Sequence, residues 1–293
     1  MNPTATRPGH PDGSDTIALV PFAKQHLEGA LRLSQEVAWT HRLEDWAIAL
    51  ELGQGFVLLD GAGSVIATAA WWAHGEDQAT AGMIIVAKAA QGRGHGARLM
   101  DALLAAAHPR TVTLNATAEG LALYERRGFV RTGVVIQQHR GIPHGGHQAP
   151  PASRVRAMTT ADAEAIARLD RQATGWDRRP VLSRLAEVGD GHVLLRDGQP
   201  HGYAISRRFG RGHVIGPVAA ESADDARALI EAALARLGPV FVRIDTSATS
   251  QLGGWLEHIG LAKVSDVATM VRGAQIPPPG PARVFALASH SFN

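Results

Sequence analysis

The chain contains no cysteine. Disulfides, cysteine metal sites and a cysteine acyl-enzyme are therefore excluded. No apolar run approaches the ~18 residues of a membrane-spanning helix. A charge excess is missing too: 29 Lys and Arg face 27 Asp and Glu, a formal charge of +2. The basic residues are mostly arginine and scattered, so the one-sided stripe that would bind nucleic acid is absent from the pattern. Residues 1–16 are polar, with Pro and Gly, and lack the apolar stretch of a signal peptide. They predict a disordered tail on a cytoplasmic protein with no membrane partner. What is plentiful is core: hydrophobic residues make up 45% of 293 positions, enough for two ordinary domains.

Residues Val86 to Met100, VAKAAQGRGHGARLM, hold the densest chemical signal. An apolar run ends, Gly92, Gly94 and Gly96 alternate through a short loop, and an amphipathic segment begins. A strand entering a helix this way aims unobstructed N–H groups and the helix dipole at one spot, which suits an anion. Arg93, His95 and Arg98 add cations there, and a phosphate or pyrophosphate is the expected guest. A nucleotide P-loop would end in Gly-Lys-Ser or Gly-Lys-Thr, which does not occur. Gly92-x-Gly94-x-x-Ala97 formally fits a dinucleotide loop. However, Ala87 to Gln91 separate it from the strand, and Thr113 to Asn115 stand where an acidic ribose ligand is needed. A glycine turn without a ligand is the plain alternative.

Gln91-Gly92-Arg93-Gly94-His95-Gly96 resembles the Q/R-x-x-G-x-G/A signature of the GNAT superfamily of acetyl-CoA-dependent N-acetyltransferases, with Val86 at the end of the family's fourth strand. Leu123-Tyr124-Glu125-Arg126-Arg127-Gly128-Phe129 resembles the family's L-Y-E-x-x-G-F segment. The resemblance implies an acetyl-CoA site at Ile84, Ile85, Val86, Gln91, Gly92, Arg93, Gly94, His95, Gly96, Thr117 and Tyr124, with no metal. Thr117 departs from the asparagine that many members carry seven residues before the tyrosine.

The chain also repeats itself. Phe56–Asp60 (FVLLD) recurs as His192–Arg196 (HVLLR), and Tyr124–Phe129 is echoed by Leu256–Leu261. The expected organisation is a tail (1–16), an acetyl-CoA-binding GNAT domain (17–142), a linker (143–152) and a degenerate GNAT-like domain (153–293). Each domain should be α/β (α+β): a mixed, mostly antiparallel sheet flanked by helices. Strands are expected at Ile17–Pro21, Phe56–Asp60, Val65–Trp71, Met83–Val86, Thr111–Asn115 and Gly133–His139. Helices are expected at His26–Val37, Gly94–Ala107 and Gly120–Arg127. The second half repeats this order and adds a strand near Val284–Ser289. In place of the glycine loop it has Glu221-Ser222-Ala223-Asp224-Asp225-Ala226, an ordinary helix start whose carboxylates should repel a pyrophosphate, and Leu256 replaces the tyrosine.

The implied chemistry is direct attack of an amine on the thioester. N–H groups near Ile85 and Val86 would polarise the carbonyl, and Tyr124 would protonate the departing thiolate. Tyr124 also reads as a plain core residue beside Leu121 and Leu123. No base stands out among Glu36, His41, Glu44, Asp45, His74 and Glu76, which border the acceptor side in the family. Trp39, Trp46, Trp71 and Trp72 read as core or as walls of an acceptor pocket. His139, His144 and His147 sit in or beside a Gly/Pro linker whose spacing fixes no metal geometry. Expected partners are a small-molecule or peptide amine and, for a homodimer, a second copy of the chain. The rival readings are a non-catalytic acyl-CoA-binding module and a dinucleotide-binding domain.

Overall fold

The structure is a computed structural model that describes residues 17–145, 147, 150–151 and 153–293. The expected N-terminal tail lies outside the described residues. The first half runs β1 (Ala18–Pro21), α1 (Leu27–Glu36), α2 (Leu43–Leu52), β2 (Gln54–Leu59), β3 (Val65–His74), β4 (Gln78–Val86), α3 (His95–Ala107), β5 (Thr111–Ala116), α4 (Leu121–Glu125) and β6 (Val130–Gly141). The second repeats the order as β7 (Val155–Ala157), α5 (Ala163–Thr174), α6 (Arg179–Val188), β8 (Gly189–Arg196), β9 (Gln199–Phe209), β10 (Gly212–Ala220), α7 (Ala223–Leu237), β11 (Val242–Ser247), α8 (Gly253–His258) and β12 (Ala262–Arg272). It then adds β13 (Arg283–Ala286). α2 was missed in the sequence. Its face carries Asp45, Trp46, Ile48 and Ala49 inward, but acidic residues interrupt the apolar period.

The strands form one sheet in the order β1-β2-β3-β4-β5-β12-β6-β11-β10-β9-β8-β7, with β13 on β10. The halves therefore exchange their last strands. β12 pairs antiparallel with β5 (Thr269↔Asn115), β6 pairs antiparallel with β11 (Thr246↔Gln137), and the two exchanged strands pair with each other. Among the described residues, β4–β5 and β10–β11 are the parallel pairs.

Two-residue periodicity decides the faces. Val112, Leu114 and Ala116 of β5 pack with Leu99, Met100 and Leu103 of α3, which leaves Thr111, Thr113 and Asn115 on the opposite face. α7 covers the equivalent face of the second half. The other helix pairs, α1–α2 and α5–α6, share a core built from both halves, including Trp46, Trp72, Leu185 and Tyr203. Truncating one of its tryptophans to alanine would cost about 3–5 kcal/mol. Polar contacts also cross this face: Gly210 N–H donates to Asp45 (2.9 Å), and His74 stacks on Trp176 with ring centroids 5.3 Å apart.

Candidate functional site

β4 and β5 pair in parallel from Gln78↔Thr111 to Ala81↔Leu114 and then separate. A register shift within β4, with Met83 at φ +53° and its carbonyl accepting from Thr68 Oγ1 (2.7 Å), marks the parting point. Beyond it β4 keeps β3 on one edge (Thr68↔Ile85, Ala67↔Val86) and loses β5 on the other. Ile84, Ile85 and Val86 thus border a notch whose backbone edge needs water or a ligand.

The glycine loop closes the end of this notch. Gln91 Nε2 donates to Val86 O (3.1 Å), which folds the loop back onto the strand. Gly92 and Gly94 adopt φ +77° and +80°, a region closed to most side chains, and open space surrounds both. Among the described residues, no acceptor meets the N–H groups of Gly92 to Ala97. They sit at the positive end of α3, with Arg93 exposed and His95 half-buried nearby. Gly96 faces Leu123 and Val86: a Cβ there would lie 3.3 Å from Leu123 Cδ2. Arg98 does not join the cations, contrary to the sequence reading. Its Nη1 donates to Ile17 O (2.9 Å) and ties down the chain before β1.

Tyr124 lies on α4 with its ring over Gly120 and edge-on to Phe129, centroids 5.9 Å apart. Burial pushes its phenol up to about 12, so it holds its proton throughout the neutral range. Its hydroxyl makes no hydrogen bond to another side chain or carbonyl among the described residues. Thr117 is exposed just beyond the end of β5.

The second half opens in the same manner and is then filled. β10 and β11 pair only at His213↔Val242 and Val214↔Arg243. β13 lies in the gap, antiparallel to β10 from Val218↔Ala286 to Ala220↔Arg283. Across the gap, Leu287 N–H donates to Asp245 O (2.8 Å), and Thr246 Oγ1 donates to Phe285 O (2.6 Å). The loop is also missing: only Glu221 and Ser222 join β10 to α7, where Ala87–Gly94 join β4 to α3. Ser222 Oγ accepts from Asp225 N–H (3.1 Å), the cap expected from the sequence. The carboxylates are not bare charges, however. Glu221 pairs with Arg196 (2.6 Å) and His201 (2.9 Å), and Asp225 with Arg196 (3.1 Å) and Arg154 (3.4 Å). Repulsion is therefore the smaller obstacle; chain already occupies the space. Leu256, opposite in role to Tyr124, is fully buried.

The acceptor-side residues divide sharply. Glu36, Glu44 and Glu76 are exposed. Asp45 is a clamp: burial raises its pKa, but Arg42 (2.7 Å) and the N–H groups of Arg42 and Gly210 outweigh that and hold it below the usual carboxylate range. Burial lowers His41 to about 4 and His74 to about 3, with Arg243 and Arg178 adding to it respectively. His74 Nε2 lies 3.0 Å from Thr80 Oγ1. Trp46 and Trp72 are core, with indole N–H groups donating to Ser34 Oγ and Ala49 O. Trp71 packs on the α3 side, and Trp39 borders the shared core. His139 Nδ1 is 3.2 Å from Leu261 O, and His144 N–H donates to Ile259 O. Among the described residues no metal-ligating cluster gathers around them or His147.

Sequence reasoning missed the segment after β13. Asn115 Nδ2 donates to His290 O (3.0 Å) and Asn293 Oδ1 (2.7 Å), Ser291 packs on Gly82, and Phe292 meets Trp72 edge-on at 5.5 Å. Second-half residues therefore border the first notch. Arg207 and Phe209, the guanidinium 4.9 Å from the ring, line a small pocket with Met83, Ser291 and Phe292. Nothing local in the sequence marks these contacts, because they span both halves.

Comparison with known proteins agrees with this architecture. A family model of the acetyltransferase (GNAT) domain matches residues 34–146, and a second GNAT-domain model matches 166–286. The uncharacterized N-acetyltransferase YitH of Bacillus subtilis is 27% identical over 242 residues, covering 79% of this chain and 83% of that protein. Among solved structures, a Pyrococcus horikoshii protein provisionally named an acetyltransferase superposes with a TM-score of 0.78 at 16% identity over 99% of both chains. A tandem GNAT protein from the clavulanic acid biosynthesis pathway gives 0.66 at 16% identity, covering 89% of this chain and all of the other. With the open notch, the filled one and both domain matches together, the chain belongs to the GNAT acetyltransferase family and carries two GNAT domains in tandem.

Proposed function

We propose that the first half binds acetyl-CoA and transfers its acetyl group directly to the amine of a small molecule or peptide. The observation that carries this reading is the open notch between β4 and β5, ending in unpartnered N–H groups of the glycine loop. The pyrophosphate would rest on Gly92 to Gly96 and the N-terminus of α3, near Arg93 and His95. The pantetheine arm would complete the free edge of Ile84 to Val86. A neutral amine then adds to the thioester carbonyl, the C–S bond breaks, and the thiolate takes the proton of Tyr124 while the nitrogen loses its own to solvent. The protonated phenol suits a donor role. Holding both substrates in line supplies much of the acceleration.

One acetyl-CoA per chain is the expected stoichiometry, since β13 fills the second notch. Free-thiol release from acetyl-CoA, followed across a panel of amines, tests turnover. Binding without release under every amine would favour the non-catalytic module. Displacement of CoA by NAD would favour a dinucleotide site.

A further inference from the structure

A broad cavity lies away from the glycine loop, on the opposite face of the sheet from α3. It holds about 960 Å³ and is lined by both halves, at the upper end of the usual ~300–1,000 Å³ for small-molecule sites. Its floor is the polar side of β5, continued onto Thr269 of β12 and Thr132 of β6. The far wall comes from the turn after β11, and Trp176 and Ile276 supply apolar surface.

The floor is incompletely satisfied. Gln78 and Thr113 are only 5% and 7% exposed, yet neither side chain makes a hydrogen bond among the described residues. Their neighbours are already engaged: Thr269 Oγ1 donates to Asn115 Oδ1 (2.9 Å), and Thr132 Oγ1 to Thr269 O (3.1 Å). The Gln78 amide and the Thr113 hydroxyl open onto the cavity, where water or a ligand supplies the partners that the protein does not. Both groups donate and accept, so they match alcohols and amides better than an ion.

Charge points the same way. Of the lining side chains only Glu221 and Arg283 are charged; Glu221 is held by Arg196 and His201, and Arg283 is exposed, while the floor residues Gln78, Thr111, Thr113, Asn115, Thr132 and Thr269 carry no charge. A charged ligand seated on that floor would lose hydration with no counter-ion among the floor residues. We propose that the cavity between the halves is a binding site for an uncharged, hydroxyl-bearing small molecule of the saccharide or polyol class. Gln78 and Thr113 would bond its hydroxyls, and Trp176 and Ile276 would cover its C–H faces. This assignment stands independently of acyl transfer, because it rests on the cavity alone.

Calorimetric titration of the full chain tests it directly, with glucose, sucrose and myo-inositol as neutral probes. Glucuronate and glucose 6-phosphate serve as anionic analogues and spermidine as the cationic control. The expected result is a neutral probe binding more tightly than about 1 mM, with the charged compounds at least about tenfold weaker. Gln78→Leu and Thr113→Val should each weaken that probe about fivefold or more with the thermal midpoint retained. If the floor variants lose stability, Thr249→Val on the exposed far wall gives the same reading. Binding by none of the neutral probes, equal binding of charged ones, or unchanged affinity in the variants that fold would each overturn the proposal.

Discussion

In the first half β4 and β5 separate after Ala81 and Leu114; in the second, β10 and β11 separate after Val214 and Arg243. Both openings expose strand edges that must find partners. The second finds them in its own chain, through β13, Leu287 N–H and the Thr246 hydroxyl. The first keeps its edge at Ile84–Val86 free and adds a glycine loop of unpartnered donors. The difference teaches that main chain, more than the poor anion chemistry of the helix start, takes up the second opening. Occupation by main chain is a stronger bar, because an incoming cofactor would have to break several hydrogen bonds before making any.

The largest expected effect contrasts Tyr124 with its buried counterpart Leu256. Tyr124→Phe should lower kcat by roughly ten- to a thousandfold and leave acetyl-CoA affinity nearly unchanged, because in the proposed reaction the hydroxyl would act on the departing thiolate. Steady-state kinetics with a true acceptor, paired with calorimetry, read the two separately. Unaltered kcat would leave Tyr124 as a core residue and make the halves chemically alike at this position.

Next is the loop itself. Gly96→Asp puts a carboxylate at the N-terminus of α3 without the strained φ of Gly92 or Gly94, its Cβ needing only a small shift of Leu123. Acetyl-CoA affinity should fall more than about tenfold, about 1.4 kcal/mol. Binding should disappear as a whole in calorimetry; a residual half-stoichiometry would mean that the second notch is a working site.

The smallest effect belongs to the second half. Ser222→Ala removes the cap of α7 and should cost about 1 kcal/mol of stability in chemical denaturation. Acetyl-CoA affinity should not move. A coupled loss would show that the N-terminus of α7 takes part in cofactor binding despite β13.

Much of this comparison was legible in the residues. Gly92, Gly94 and Gly96 announced a backbone that side chains would obstruct, and the alternation in β5 separated a core face from a polar one. Ser222 announced its cap because capping is a local bond over three residues. Arg98 and Glu221 were read less well. A guanidinium or carboxylate takes whichever partner the fold brings near, and Ile17 and Arg196 lie far from them in sequence.

The sequence by itself determined two copies of one strand–helix order, the loop that only the first copy carries, and which faces of each element are apolar. These follow from periodicity and backbone sterics over a few residues. Tertiary structure alone decided that β6 and β12 change places, that β13 closes one notch, that Ser291 and Phe292 reach the other, and that Gln78 and Thr113 face a shared cavity. An open strand edge offers the same N–H and C=O groups to any strand. Which strand takes it depends on packing across both halves, a sum over distant contacts that no local pattern encodes.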